Sequence, residues 1–219
     1  MIRLICLAVG YLFGLIQTSY IYGRMQGIDI RTQGSGNAGT TNALRVLGKK
    51  AGAITFVGDA CKCIAAILLV RLLFSGSYPD MVPLLCVYTG AGVVLGHNFP
   101  FYLGFRGGKG IAASGGMMLA FGDFRIFLIC LFGFILAYSI TNYVSLGSLV
   151  LYACFMIQIV ICGQHGDFSL TEPRLTELYA VVGFLTLMAF WQHRANIGRL
   201  LRGTENKTYL FRKKKEDRN

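Results

Sequence analysis

The chain has 219 residues, 54% of them hydrophobic and only 14% charged, and its mean hydropathy is +0.57. A soluble domain carries about a quarter of its residues as charges, so a chain this apolar would expose aggregating patches in water. The formal net charge of +11 is spread over short loops between apolar blocks, which fits a membrane topology better than a nucleic-acid-binding face.

A helix needs about 20 mainly apolar residues to span a bilayer. In chain order, seven blocks are read as transmembrane helices, near 4–22, 51–74, 81–96, 110–121, 124–140, 144–162 and 178–192. The first lacks a small-x-small cleavage pattern and is read as a retained span rather than a signal peptide. The fourth has an apolar run of about 12 residues, short enough for a half-helix. The expected fold is therefore all-α: one polytopic membrane domain covering 1–219, with a basic cytoplasmic tail at 208–219. The seven cysteines all lie in or beside apolar blocks and read as small core hydrophobes.

With the N-terminus outside and the C-terminus inside, segments 23–50, 97–109, 141–143 and 193–219 are cytoplasmic and hold 16 of the 21 basic residues. The positive-inside rule selects that orientation. Asp59 and Lys62 are the one opposite-charge pair expected inside a span. Three residues apart, they share a helical face and read either as a functional pair or as a structural ion pair near the cytoplasmic loop.

The unusual polar motifs then fall on one side. Gly34-Ser35-Gly36-Asn37-Ala38-Gly39-Thr40-Thr41-Asn42 precedes Arg45. Glycines let the backbone turn sharply and approach a ligand, successive amides can nest an anion, and Arg45 adds a forked cation suited to phosphate. A second motif runs from Gly96-His97-Asn98 to Gly107-Gly108-Lys109-Gly110, just before the short fourth block. A glycine turn feeding a helix offers free N–H groups, a positive helix end and a lysine together. It lacks the spacing of a Walker A loop. A third motif, Asn142 to Ser148, places Ser145 and Ser148 on one helix face. In the fourth, His193, Asn196 and Leu200 line a face of a helix leaving the membrane, with Arg199 beside them and Glu205 shortly after.

Together these motifs resemble the bacterial acyl-phosphate:glycerol-3-phosphate acyltransferase family, over about residues 28–207. The resemblance implies transfer of a fatty acyl group from acyl phosphate to the 1-hydroxyl of glycerol 3-phosphate, giving lysophosphatidic acid, the first step of phospholipid synthesis. It implies catalytic positions at Ser35, Arg45, Lys109, Ser145, His193 and Asn196. Substrate-binding positions follow at Gly36, Asn37, Thr41, Asn42, His97, Gly107, Gly108 and Glu205. The sequence departs from the family at Ser19-Tyr20-Ile21, where Ser-Ile-Pro is usual, at Thr40, at Cys63 after Lys62 and at Ala113. No cofactor, metal or nucleic-acid partner is expected; the expected setting is a monomer in the bacterial inner membrane, its site on the cytoplasmic side. No Ser-His-Asp order is visible and no His has Asp five residues on; His193 is a candidate base, but with so few carboxylates on the cytoplasmic side the expected route is substrate-assisted, a phosphate oxygen taking the hydroxyl proton. An organic-phosphate transporter is the alternative, but transporters place their sites near the midplane.

Overall fold

The computed structural model describes residues 1–209, and every regular element among them is helical. In chain order the α-helices are α1 (Ile2–Gly14), α2 (Thr18–Met25), α3 (Thr40–Leu47), α4 (Lys49–Phe74), α5 (Val82–Asn98), α6 (Ile111–Ala120), α7 (Phe124–Thr141), α8 (Val144–Gln164), α9 (Glu172–Gln192) and α10 (Arg194–Leu201). Among the described residues six segments are long and apolar enough to cross a membrane: Ile2–Met25, Lys49–Phe74, Pro79–Leu103, Phe124–Thr141, Val144–Gln164 and Glu172–Gln192. Helix α6 has ten residues, about 15 Å, half the hydrocarbon thickness. Of the expected basic tail, only Thr208 and Tyr209 belong to the described residues; 210–219 lie outside them.

The blocks read at 51–74, 124–140 and 144–162 correspond closely to α4, α7 and α8. Helix α9 starts six residues before the expected 178, with Pro173 in its first turn. Its charged first turns were hidden from a hydropathy reading, yet Glu177 is paired there with Arg3 and accepts from Tyr88 Oη at 2.7 Å.

The first span is not the continuous helix expected over 4–22. It breaks between α1 and α2 at residues 15–17. Inside an apolar bundle each freed carbonyl needs a donor. Here Lys62 Nζ donates to Ile16 O at 2.6 Å, Tyr102 Oη to Leu15 O at 2.6 Å, and Gln17 Nε2 to Gly14 O, Gly96 O and His97 O at 3.2, 3.3 and 3.0 Å.

Helices α1 and α5 meet backbone to backbone along two Gly-x-x-x-Gly edges, a spacing that lets membrane helices approach closely. A Cβ at Gly10 would lie 2.0 Å from Thr89 O and one at Gly14 2.3 Å from Val93 O. From the facing helix, a Cβ at Gly92 would meet Leu7 O at 2.1 Å and one at Gly96 would meet Tyr11 O at 2.3 Å. Gly116 brings α6 equally close to Ala60 O of α4. This seam fixes the height of the end of α5, from which the second glycine motif hangs.

The two ends of the bundle differ. At one end the charges are neutralised in pairs: Arg3 with Glu177, Arg125 with Asp123 and Asp167, and Arg174 with Asp80. There Arg71, near the end of α4, donates to Phe121 O just after α6. At the other end lie the glycine-rich loops, α3 and α10. Helix α6 thus links the two ends, starting beside Val94 and Asn98, a turn back inside α5.

Replacing Gly14 or Gly92 by Ala is expected to destabilise the bundle by about 1–3 kcal/mol, the usual cost of overpacking. Thermal unfolding in detergent checks this, with Gly183→Ala as the near-neutral control, because nothing lies within 4 Å of a Cβ there.

Candidate active site

Three segments distant in sequence converge at the basic end. The first is the loop before α3. Gly34 and Gly36 adopt φ of +60° and +70°, which a side chain would strain. The buried Asn42 side chain ties the loop: Oδ1 accepts from Ser35 N at 2.9 Å, while Nδ2 donates to Ile30 O and Gln33 O at 3.1 and 3.0 Å. Its amide is used up inside the protein, so Asn42 shapes the loop and leaves Ser35 exposed on it, with Asn37 and Thr41 half-buried alongside. Arg45 stands exposed on α3.

The second segment is the turn after α5. Gly107 N donates to Asn98 O at 3.1 Å and Gly108 N to His97 O at 3.0 Å. A Cβ at Gly107 would fall 2.0 Å from His97 O, and one at Gly108 would fall 2.0 Å from His97 Nε2 and 2.8 Å from Ala38 O. Only glycine fits either position. Ala38 N donates in return to Gly107 O at 3.4 Å, which joins the two loops. His97 is buried beneath Gly108 rather than on the open surface of the turn. Lys109 follows the turn.

The third segment is the corner between α7 and α8 together with α10 and the chain after it. Asn142 sits at φ +60° and ends α7. Glu205 is the hub of this part. Its Oε1 accepts from Ser145 Oγ at 3.0 Å and Asn196 Nδ2 at 2.7 Å, and its Oε2 accepts from Arg199 Nε at 2.7 Å. Asn196 Oδ1 accepts from Lys109, connecting the third segment to the second. A strap holds Glu205 in place: Thr208 N donates to Asn142 O at 2.9 Å and Tyr138 Oη donates to Thr208 O at 2.8 Å. Ser148, weighed with Ser145 in the sequence, instead donates to Val144 O of its own helix at 2.8 Å.

The electrostatics follow from this crowding. Burial, with Arg199, Arg194 and Arg45 nearby and only Glu205 opposing, pushes the Lys109 ammonium down to about 8. Arg45 therefore lies within electrostatic reach of Lys109. The Glu205 carboxyl is resisted by burial, yet the bonds from Asn196, Arg199 and Ser145 bring it below its usual range. His193 is pushed down to about 4 by burial and by Lys109. Its Nδ1 lies 2.8 Å from Ala189 O and must donate there, so Nε2 is unprotonated.

Ser35, Arg45, Lys109, Ser145, His193, Asn196 and Glu205 thus share one end of the bundle, while Asn42 and His97 form the layer behind. Sequence reasoning passed over Gln17, whose signal was a polar Gln-Thr-Ser run inside an apolar block. It also passed over Tyr138, which had none. Among the described residues the one group within metal-ligand reach is Asp123, Cys162 and Asp167, at the opposite end, where Arg125 already pairs with both carboxylates.

A family model described as glycerol-3-phosphate acyltransferase matches residues 4–203. A glycerol-3-phosphate acyltransferase of Clostridioides difficile (strain 630) is 48% identical over 206 residues, spanning 93% of this chain and 94% of its own. One from Shouchella clausii (strain KSM-K16) is 42% identical over 202 residues, 90% of this chain and 92% of its own. Among solved structures, PlsY (YgiH), an integral membrane glycerol 3-phosphate acyltransferase in its glycerol 3-phosphate form, superposes with a TM-score of 0.81 at 29% identity. That match covers 96% of this chain and 99% of the other.

Anion affinity at this end should fall as pH rises. The Lys109 pKa is lowered, so its ammonium is present below about pH 8 and lost above. Sulfate keeps its charge over this range. Its dissociation constant, measured by calorimetry from pH 6.5 to 9.5, should rise several-fold through pH 8 in the wild type and stay flat in Lys109→Met.

Proposed function

The chain belongs to the glycerol-3-phosphate acyltransferase family, and on that premise we propose that it transfers a fatty acyl group from acyl phosphate to the 1-hydroxyl of glycerol 3-phosphate, releasing lysophosphatidic acid and inorganic phosphate. The observation that carries this reading is the Lys109–Asn196–Glu205–Ser145 network beside Arg45 and two joined glycine loops. It supplies more than one cationic anchor at one end of the bundle, as a reaction between two phosphorylated substrates requires. A midplane transport site would not gather its polar groups there.

Acyl phosphate is a mixed anhydride with a good leaving group, so the protein has mainly to hold two anions together and aim a hydroxyl at the acyl carbon. Arg45, Lys109 and the amides of the Ser35–Asn37 and Gly107–Lys109 turns offset the repulsion between the phosphates and stabilise the charge that develops on the acyl oxygen. The glycerol oxygen bonds to the acyl carbon, the carbon–oxygen bond to phosphate breaks, and the hydroxyl proton passes to a phosphate oxygen. We assign that substrate-assisted route because His193, pushed down to about 4, makes a weak base. Its unprotonated Nε2 is suited to accepting a hydrogen bond that orients the hydroxyl. Ser145 and Asn196 hold Glu205, whose carboxylate keeps Arg199 and Lys109 in place.

The same reading sets the topology. We propose seven crossings, the short α6 completing one with the residues that flank it, the N-terminus outside and the active site on the cytoplasmic side of the bacterial inner membrane. The surplus of Lys and Arg near the active-site end supports that orientation. The protein acts as a monomer, with membrane lipid as its other partner.

Purified protein with glycerol 3-phosphate and acyl phosphate should yield lysophosphatidic acid, and acyl-CoA in its place should yield none. Lys109→Ala and Arg45→Ala should each lose at least about a hundredfold in kcat/KM, the scale for deleting a preorganised charged group. His193→Gln should lose far less and show no new pH dependence. Near-normal turnover in a folded Lys109→Ala variant would contradict the anion-clamp reading.

A further inference from the structure

Among the described residues, the buried charged pair Asp59 and Lys62 lies behind the active-site end and takes no part in the proposed chemistry. Asp59 and Lys62, one turn apart on α4, are both almost fully buried. The Lys62 ammonium has four acceptors within 3.5 Å: Ile16 O at 2.6 Å, Asp59 Oδ1 at 2.8 Å, His97 Nδ1 at 2.9 Å and, more distantly, Gly14 O at 3.5 Å. Asp59 Oδ1 also accepts from Thr18 Oγ1 at 3.1 Å.

An ammonium has no lone pair to offer, and that dictates the state of His97. With a carboxylate and a carbonyl on either side, the lysine is the donor to Nδ1. Nδ1 is therefore unprotonated and the ring proton sits on Nε2. The ring is then pinned from both sides. Lys62 holds one nitrogen, and the other lies against Gly108, where even one added carbon would come within 2.0 Å of Nε2. His97 O accepts from both Gly108 N and Gln17 Nε2 at 3.0 Å. Movement of the ring must displace the turn that delivers Lys109.

We propose that Lys62 is a positioning residue for acyl transfer: its ammonium locks His97 in the Nε2–H tautomer and, through that ring, sets the Gly107–Lys109 turn at the substrate. The functional half of this inference rests on the acyltransferase reading; the tautomer lock does not. The broken first helix acquires a purpose by it, because the carbonyl of Ile16 freed at the break orients the ammonium. Without the lysine, Asp59 Oδ1, 3.6 Å from His97 Nδ1, becomes the natural partner of a proton on that nitrogen. The ring would rotate toward α4 and away from Gly108.

Nitrogen-15 spectra of histidine-labelled protein test the lock directly. Three histidines are present, and they differ. His165 is exposed, and His193 is a buried Nδ1–H ring. His97 should be the buried Nε2–H ring in the wild type; finding it protonated on Nδ1 overturns the proposal without any variant. In Lys62→Met the His97 signal should change to Nδ1 protonation, and kcat/KM for glycerol 3-phosphate should fall at least tenfold. Asp59→Asn/Lys62→Met, which buries no lone charge but leaves Ile16 O without its donor, should melt below the wild type yet remain folded, show the same change to Nδ1 protonation, and stay at least tenfold slow. An unchanged tautomer in Lys62→Met, or a changed one with full activity, overturns the proposal. A wild type that makes no lysophosphatidic acid would sink the acyltransferase reading instead, and the wild-type spectrum would still decide the lock.

Discussion

A backbone carbonyl freed inside a membrane bundle has no water to turn to, and the structure is organised around meeting that demand at one place. The first span breaks at residues 15–17, and it is repaired by Gln17 at the break itself and by donors from two other segments, Lys62 on α4 and Tyr102 after α5. Leaving such groups unpaired in hydrocarbon costs several kcal/mol each, so the break and its donors must form together. Removing one partner of a buried ion pair costs about 3–5 kcal/mol because the other charge is stranded. The Asp59–Lys62 pair and the break thus stabilise one another, and each would be a liability alone.

That knot is placed where it can act on the site. The glycine seam brings α1 against α5, so Gly14 O, Gly96 O and His97 O are all within reach of Gln17. The end of α5 is thereby fixed in height, and the Gly107–Gly108 turn folds back onto its last carbonyls. From there Lys109 reaches Asn196, and Glu205 gathers Ser145, Asn196 and Arg199. Packing small residues between membrane helices and presenting cations on glycine loops are separate physical devices, and here the second hangs on the first.

Much of this was legible in the sequence, for physical reasons that differ by element. The long apolar helices α4, α7 and α8 announce themselves because length and hydropathy are enough for a span. The glycine turns and their cations were visible because such residues at such spacing serve few other purposes. The roles of Asn42 and His97 were not visible. Both look like ligands in the sequence, but one has its amide consumed by its own loop and the other stands behind the turn. The break in the first span was hidden because its repair uses Lys62, Gly96, His97 and Tyr102, remote in sequence. The Gly-x-x-x-Gly edges of α1 and α5 lay in plain view, yet nothing within either helix says that they face one another. The start of α9 was missed because the charge of Glu177 is cancelled by Arg3, 174 positions away.

If loops hung on this buried knot converge to hold phosphate, a crystal structure of this chain with glycerol 3-phosphate bound will show it. The expected result is a phosphate within about 3 Å of Lys109 Nζ, with Arg45 and the amides of the two glycine turns around it and His97 still held by Lys62 beneath Gly108. A phosphate bound at the opposite end, among Arg125 and Arg174, or one at the basic end that touches neither Lys109 nor Arg45, would contradict it.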